Sequence, residues 1–351
     1  MNGPSRIVDQ FPEPNIWESP LQRVMEECLQ TGDTAFDVGA NIGALSAFMW
    51  RRVGPGGRVY SFEANPTMIA RLLRNFEANG VHNHRIISRA VWSRSGVPLT
   101  FEVEPSYYSS GSRIVPGNTQ EESGAARVTV TSLALDDYCD EFALEPELIK
   151  IDVEGAERHV LEGSQRLLQR KKPTILFEHT PTQNPDDAPA FLRKLGYRLL
   201  DCHDYSRWDG TRTSGPLTNL LAVHPENDRN GHRWHDDPRL VDVERFNLFP
   251  HADASGRTRL RSEMVTVPAG WWMFAASFDY SGSGMGSIML SDDQGRAHYR
   301  ADTRVPYLSE YVCSNAILRT AASGQFQLSV SALCDELQMT GGSVVMKQVV
   351  F

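Results

Sequence analysis

Residues 34–46 read TAFDVGANIGALS, from Thr34 through Asp37, Gly39, Asn41 and Gly43 to Ser46. An apolar run carries an acid at its end, meets two glycines four apart, and passes into a segment of helical character. That is a strand, a glycine turn and a helix. Such a turn lets the backbone approach a ligand closely, and a helix N-terminus favours negative charge. The spacing is not the G-x-G-x-x-G of a dinucleotide site, and Asp37, two residues before Gly39, would crowd a pyrophosphate. A carboxylate there suits a ligand that carries an ammonium group.

The next apolar run, VYSFEANP, ends in Glu63, where doubly wound folds place an acid to accept both ribose hydroxyls. Ribose and ammonium without phosphate describe S-adenosylmethionine. For either acid alone, an exposed carboxylate at a strand end is the plainer explanation; the two in this order favour a site. A third element, LIKIDVEGAERHVLEGS, places Asp152 at the end of an apolar strand, Glu154 in the turn and Gly155 where the chain enters a helix. Glu178 and His179 end PTILFEH one strand along. The structural alternative is that Glu154 and Glu157 favour a helix N-terminus and Glu178 pairs with a basic residue.

Outward from these stretches, short apolar runs alternate with helical periodicity from Thr34 to about Pro225, which predicts a parallel sheet covered by helices. The predicted strands are 34–38, 58–63, 85–90, 148–153, 174–178, 197–202 and 219–223. Pro66 suits a first helical turn, and Met68, Ile69, Leu72, Leu73 and Phe76 share a face until Asn79-Gly80. Val160, Leu161, Leu167 and Leu168 predict one inward-facing helix ending before Pro173. Residues 105–125 are polar and glycine-rich, either a lid over the acceptor or a disordered insertion; as a lid, Tyr107 and Tyr108 would offer flat surface and Ser112 a hydroxyl. Beyond Pro225, runs at 264–267, 271–280, 287–291, 311–318, 325–330 and 343–351 predict a separate β-sandwich. The expected organisation is an N-terminal extension (1–30), an α/β domain (31–226), a linker (227–240) and an all-β domain (241–351) that binds a glycan or a partner.

The chain has 351 residues, with 35 Lys and Arg against 44 Asp and Glu, a formal charge of -9 that argues against a general nucleic-acid-binding surface. Its 5 cysteines are scattered, with no C-x-x-C pair, which suits reduced thiols and a cytoplasmic location. The N-terminus shows no basic start followed by an apolar core, and no run approaches the roughly 20 apolar residues of a membrane span. The histidine groupings at His82 and His84, and at His232 and His235, lie in expected solvated loops and lack the cysteines of a zinc site. Trp271, Trp272, Phe274 and Phe278 include an alternating, core-facing set.

The stretches FDVGANIGALS, VYSFEANP, AVWS, SLALDDY, IKIDVEGAE and ILFEH, in this order, resemble the FkbM family of S-adenosylmethionine-dependent methyltransferases over roughly residues 30–225. The resemblance implies a class I methyltransferase fold, a Rossmann-like doubly wound sheet, and O-methylation of a hydroxyl on a carbohydrate or natural product. It implies cofactor contacts at Asp37, Gly39, Asn41, Gly43, Glu63, Asn65 and Ala90, and a catalytic role on the substrate side for Asp152 and Glu154. Near Ala90 the acid that commonly reads adenine is missing.

A sugar hydroxyl must lose its proton as the new bond forms, so Asp152, Glu178 or His179 would act as base, unless a metal first acidifies it. Asp152, Glu154 and Glu178 are the residues that would hold such an ion, Mg or Mn. His179 is the most convenient base near neutral pH. The rival readings are a dinucleotide oxidoreductase, an inactive methyltransferase-fold assembly protein, and an N- or RNA methyltransferase.

Overall fold

The computed structural model describes residues 19–103, 113–115, 126–179, 187–202, 205–210, 218–227, 229, 239–252, 258–281, 284–305, 316–320, 323–332 and 338–350. These fall into two compact units, one within Val24–Cys202 and Ser206–Asp237, the other chiefly within Pro238–Phe351. Tyr107, Tyr108, Ser112, His232 and His235 lie outside the described residues.

After a first helix, α1 (Ser19–Cys28), the α/β unit is built on β1 (Thr34–Val38), α2 (Ala44–Val53), β2 (Arg58–Phe62), α3 (Pro66–Ala78) and β3 (His84–Ile87). Then come β4 (Ala90–Val91), β5 (Pro98–Val103), β6 (Arg113–Val115), β7 (Ala126–Leu133), α4 (Leu135–Phe142) and β8 (Leu148–Ile151). The unit closes with α5 (Glu157–Glu162), α6 (Gln165–Arg170), β9 (Thr174–His179), α7 (Ala188–Lys194), β10 (Arg198–Asp201) and β11 (Thr218–Val223). Seven of these strands form one sheet in the order β10-β11-β9-β8-β1-β2-β3. β3, β2, β1, β8 and β9 pair in parallel, while β11 runs antiparallel to both β9 and β10. One face of the central strands is apolar, carrying Phe36, Val38, Tyr60, Phe62, Ile149, Ile151 and Phe177 in one core, and Phe36 packs edge-on against Tyr60 and Phe62 at 5.2 and 5.3 Å.

Local chemistry explains the element ends. Asn65 caps α3 by accepting from the Thr67 amide at 2.9 Å, and Pro66 follows in the first turn, where its missing N–H costs nothing. The single helix expected through Val160 and Leu168 is instead two, α5 and α6, broken at Gly163. A Cβ there would lie 2.1 Å from the Trp92 carbonyl oxygen, so that close backbone approach requires the glycine. The strand expected from 85 to 90 also divides. Arg89 N–H turns back to the Ile87 carbonyl at 2.9 Å, ending β3 and releasing Ala90 and Val91 to a second sheet.

That second sheet, ordered β4-β7-β5-β6, was not anticipated. Part of the segment read as lid or disorder is a strand: β6 pairs antiparallel with β5, Thr100 opposite Val115, because Ile114 and Val115 carry the β-branched side chains that suit a pleated surface. His84 is likewise no loop residue. It opens β3 and packs edge-on against Phe76 at 4.5 Å, and burial holds its pKa below the ordinary 6.5.

The second unit is all β: β12 (Arg239–Ala252), β13 (Thr258–Arg261), β14 (Val265–Val267), β15 (Gly270–Ser281), β16 (Gly284–Asp292), β17 (Ala297–Val305), β18 (Ala316–Thr320), β19 (Gly324–Ala332) and β20 (Gln338–Val350). Its pairs are antiparallel, and β12 serves two groups: Arg239–Leu248 pair with β20, whereas Phe249–Ala252 pair with β13. Trp272 and Phe274 are buried, with the Trp272 indole N–H donating to Pro268 O at 2.9 Å.

Candidate active site

Strand register builds the site. Val38 lies opposite both Phe62 and Ile151, and Ile151 opposite Phe177. The next residue on each strand, Glu63, Gly39, Asp152 and Glu178, therefore makes the following row, at the carboxyl edge of the sheet where doubly wound folds bind ligands. Because side chains alternate, this row shares a face with the row two residues back, which contains Ser61, Asp37 and Lys150 in register.

Asp37 is fully buried. Its Oδ2 accepts from Ser46 Oγ at 2.5 Å, and Ser46 accepts from Ser61 Oγ at 2.8 Å. Its Oδ1 lies 3.4 Å from Lys150 Nζ. The ammonium that Asp37 meets here is thus one from the neighbouring strand. Lys150 Nζ also lies 3.4 Å from Asp152 Oδ2 and donates to the Gly39 carbonyl at 3.0 Å. A lysine within an apolar strand reads as a chance surface residue, and the sequence reading passed over it. The signal was its two flanking acids, one in register on β1 and one two residues along its own strand.

The glycine turn is occupied with its own structure. Gly39 and Ala40 amides both donate to the Phe62 carbonyl at 3.0 Å, and the Gly43 amide donates to Ala40 O at 2.8 Å. The Asn41 amide donates to Glu63 Oε2 at 2.7 Å, with Asn41 in the left-handed region at φ 50. Gly43 (φ 82) leaves room for Phe76 and Leu72, which a Cβ would meet at 2.8 and 3.0 Å. Four of the amides that would cradle a pyrophosphate are therefore committed, which weighs against the dinucleotide reading on grounds independent of Asp37.

Glu63 ties two loops together: Oε1 accepts from the Asn65 amide at 2.7 Å, and Oε2 takes the Asn41 amide. Burial pushes its carboxyl above the ordinary 4.5, opposed by those two amides, by Lys150 and by the Ala64 amide. A carboxylate has about four acceptor positions, so after these amides are served it can still accept from a ligand hydroxyl. The buried Asn41 Oδ1 has no hydrogen-bond partner among the described residues. That remaining capacity on Glu63 suits a ribose hydroxyl, and the orphaned Asn41 Oδ1 suits a further donor. These residues fit a nucleoside carrying a cationic group.

On the other side, Asp152 has 28% of its side chain exposed. The turn after it is held by Glu157, whose Oε1 accepts from the amides of Val153 and Gly155 at 3.1 and 3.2 Å, so Glu157 does serve the helix start. Glu154 is exposed at φ 54. Glu178 is half-buried and pairs along the strand with Asn219. His179 is buried edge-on against Trp208 at 5.1 Å, and burial keeps its imidazole below the ordinary 6.5, hence neutral near pH 7. Ala90 is buried in β4. Among the described residues no three acids, histidines or cysteines come together as a metal site. Asp152 faces a lysine, and Glu154 sits in an exposed turn, so Asp152, Glu154 and Glu178 are not assembled into the ligand set for Mg or Mn.

The sheet order with its single reversed strand and the acid-bearing carboxyl edge define a class I methyltransferase. Residues 37–199 match the Methyltransferase FkbM domain, and the chain belongs to this family of S-adenosylmethionine-dependent methyltransferases. It is 31% identical over 198 residues to the methyltransferase sdnD of Sordaria araneosa, covering 49% of this chain and 75% of that protein. It is 27% identical to the hexuronic acid methyltransferase AglP of Haloferax volcanii, over 50% of this chain and 67% of AglP. Similarity to the 2-O-methyltransferase NoeI of Sinorhizobium fredii is 29%, over 39% of this chain and 59% of NoeI. Among the described residues no helix is long and apolar enough to cross a membrane.

Proposed function

We propose that this methyltransferase acts on a hydroxyl of a carbohydrate or related natural product, with Asp152 as the group that receives the acceptor's proton. The observation that carries this reading is the row Glu63, Gly39, Asp152, Glu178 at one sheet edge, which sets a partly exposed carboxylate directly beside the strand that leads into the glycine turn. The names of AglP and NoeI, a hexuronic acid methyltransferase and a 2-O-methyltransferase, support an oxygen acceptor on a sugar.

In this reading Glu63 accepts from the ribose hydroxyls with its remaining acceptor capacity, and the Asn65 and Asn41 amides keep it oriented for them. The cofactor, when bound, supplies an electrophilic methyl group on a sulfonium. Asp37 acts from beneath the site, through Lys150 and Ser46. Asp152 accepts a hydrogen bond from the acceptor hydroxyl and takes its proton as the oxygen–carbon bond forms, so positioning provides most of the rate. His179, the residue after Glu178, points to the opposite face against Trp208, so in this reading the proton goes to Asp152.

The test is incubation with methyl-labelled S-adenosylmethionine and a fractionated glycan extract, followed by identification of the labelled product. A labelled methyl ether on a sugar supports the reading. Label found on nitrogen or on RNA overturns it.

A further inference from the structure

Lys150 lies on the central strand β8 with only 5% of its side chain exposed, and a charge so placed needs compensation. It is surrounded by more compensation than one charge requires. Asp37 and Asp152 each stand 3.4 Å from its ammonium, Glu63 also feels it, and its hydrogen bond goes to the carbonyl of Gly39. Two carboxylates thus share this ammonium, Asp37 buried and Asp152 partly exposed. Cofactor and product differ by one positive charge. S-adenosylmethionine carries a sulfonium, whereas the thioether left after transfer, S-adenosylhomocysteine, has none.

We propose that Lys150 is the positioning and charge-setting residue of the site: it ties the glycine turn to Asp37 and Asp152, and it fixes how much unbalanced negative charge distinguishes the cationic cofactor from its neutral product. With Lys150 in place, the surplus favours entry of the cation and departure of the thioether. Without it, the surplus would grow by one charge. The cation would then be held harder, its discharge during transfer opposed, and Asp152 freed from the contact that orients it. The inference rests on the family's cofactor and not on the acceptor, so it can fail while the acceptor assignment stands, and the reverse.

The measurable quantity is the ratio of the dissociation constants of S-adenosylhomocysteine and S-adenosylmethionine, from titration calorimetry of the full chain. Ribose and adenine contacts are common to both ligands and cancel in this ratio, leaving the charge effect. In Lys150→Met the ratio should rise about tenfold, the scale of one added charge at an effective dielectric near 20. Lys150→Arg keeps the charge and should hold the ratio within about twofold, although its fork differs in shape. Glu63→Gln should weaken both ligands and lower the ratio. Circular dichroism melts establish which variants fold. A folded Lys150→Met with unchanged ratio overturns the proposal. If that variant does not fold, an unchanged ratio in Glu63→Gln or a shifted one in Lys150→Arg overturns it equally.

Discussion

Gly39 and Asp152 approach so closely that a Cβ on Gly39 would lie 1.7 Å from the Asp152 carbonyl oxygen. The first glycine of the turn is therefore demanded by the neighbouring strand, quite apart from any ligand, and its φ of 79 would strain an L residue as well. Gly39→Ala should lower stability by about 3 kcal/mol or more, since both overpacking and backbone strain act together. Urea denaturation of the cofactor-free protein reads this directly. Normal stability with lost cofactor binding would instead make Gly39 a ligand contact only.

Glu63→Ala should weaken S-adenosylmethionine binding by about 1 to 3 kcal/mol, the scale of hydrogen bonds to a charged group. The Asn41 and Asn65 amides lose their acceptor at the same time, so part of the loss reflects loosened loops. Calorimetry with unchanged affinity would remove Glu63 from the site.

Asp152→Asn keeps the shape but not the proton acceptor, and turnover on the labelled acceptor should fall about 100-fold or more while cofactor affinity moves only a few-fold. Chelator should leave the wild-type rate unchanged, in keeping with the scattered acids of the site. Silencing by chelator and recovery with Mg or Mn would reinstate a metal.

His179 supplies a pH prediction. Its folded-state pKa is depressed below 6.5, first by burial, with Asp187 opposing and Arg193 reinforcing. A depressed base contributes stability that is complete above its unfolded value and is lost as pH falls through the folded value, because the unfolded chain binds the proton first. His84 and His224 are shifted the same way, so the comparison must be between proteins. The stability gap between wild type and His179→Gln should narrow as pH drops below 6.5. A gap independent of pH would show that His179 titrates alike in both states.

The sequence reading and the structure agree where local chemistry and tertiary demand coincide. Asn65-Pro66 at the start of α3, the glycine turn after β1 and the apolar runs of β8 and β9 announce themselves because cap, turn and hydrophobic run point the same way. The failures have a different cause. Nothing near Gly163 says that the Trp92 backbone will press against it, so the break between α5 and α6 is a tertiary fact. The alternating run Ala126–Leu133 directly follows the polar stretch 105–125 and was not read as a strand. β12 went unnoticed as a strand because its first residues adjoin a charged connection and its partner, β20, lies about a hundred residues further on. Of the site, the acids at the strand ends were visible one by one; the lysine that joins two of them was not, since cross-strand register is invisible in a single chain.

The carboxyl group of Glu63 does double duty, as a clasp between the turn after β1 and the turn after β2 and as the proposed seat of the ribose. The clasp is made entirely by the chain's own groups, the Asn41 and Asn65 amides on one carboxylate. Docking a nucleoside then asks little new ordering of either loop, so association should resemble a key entering a cut lock: a small entropic toll, fast arrival, and a bound lifetime set by the contacts themselves.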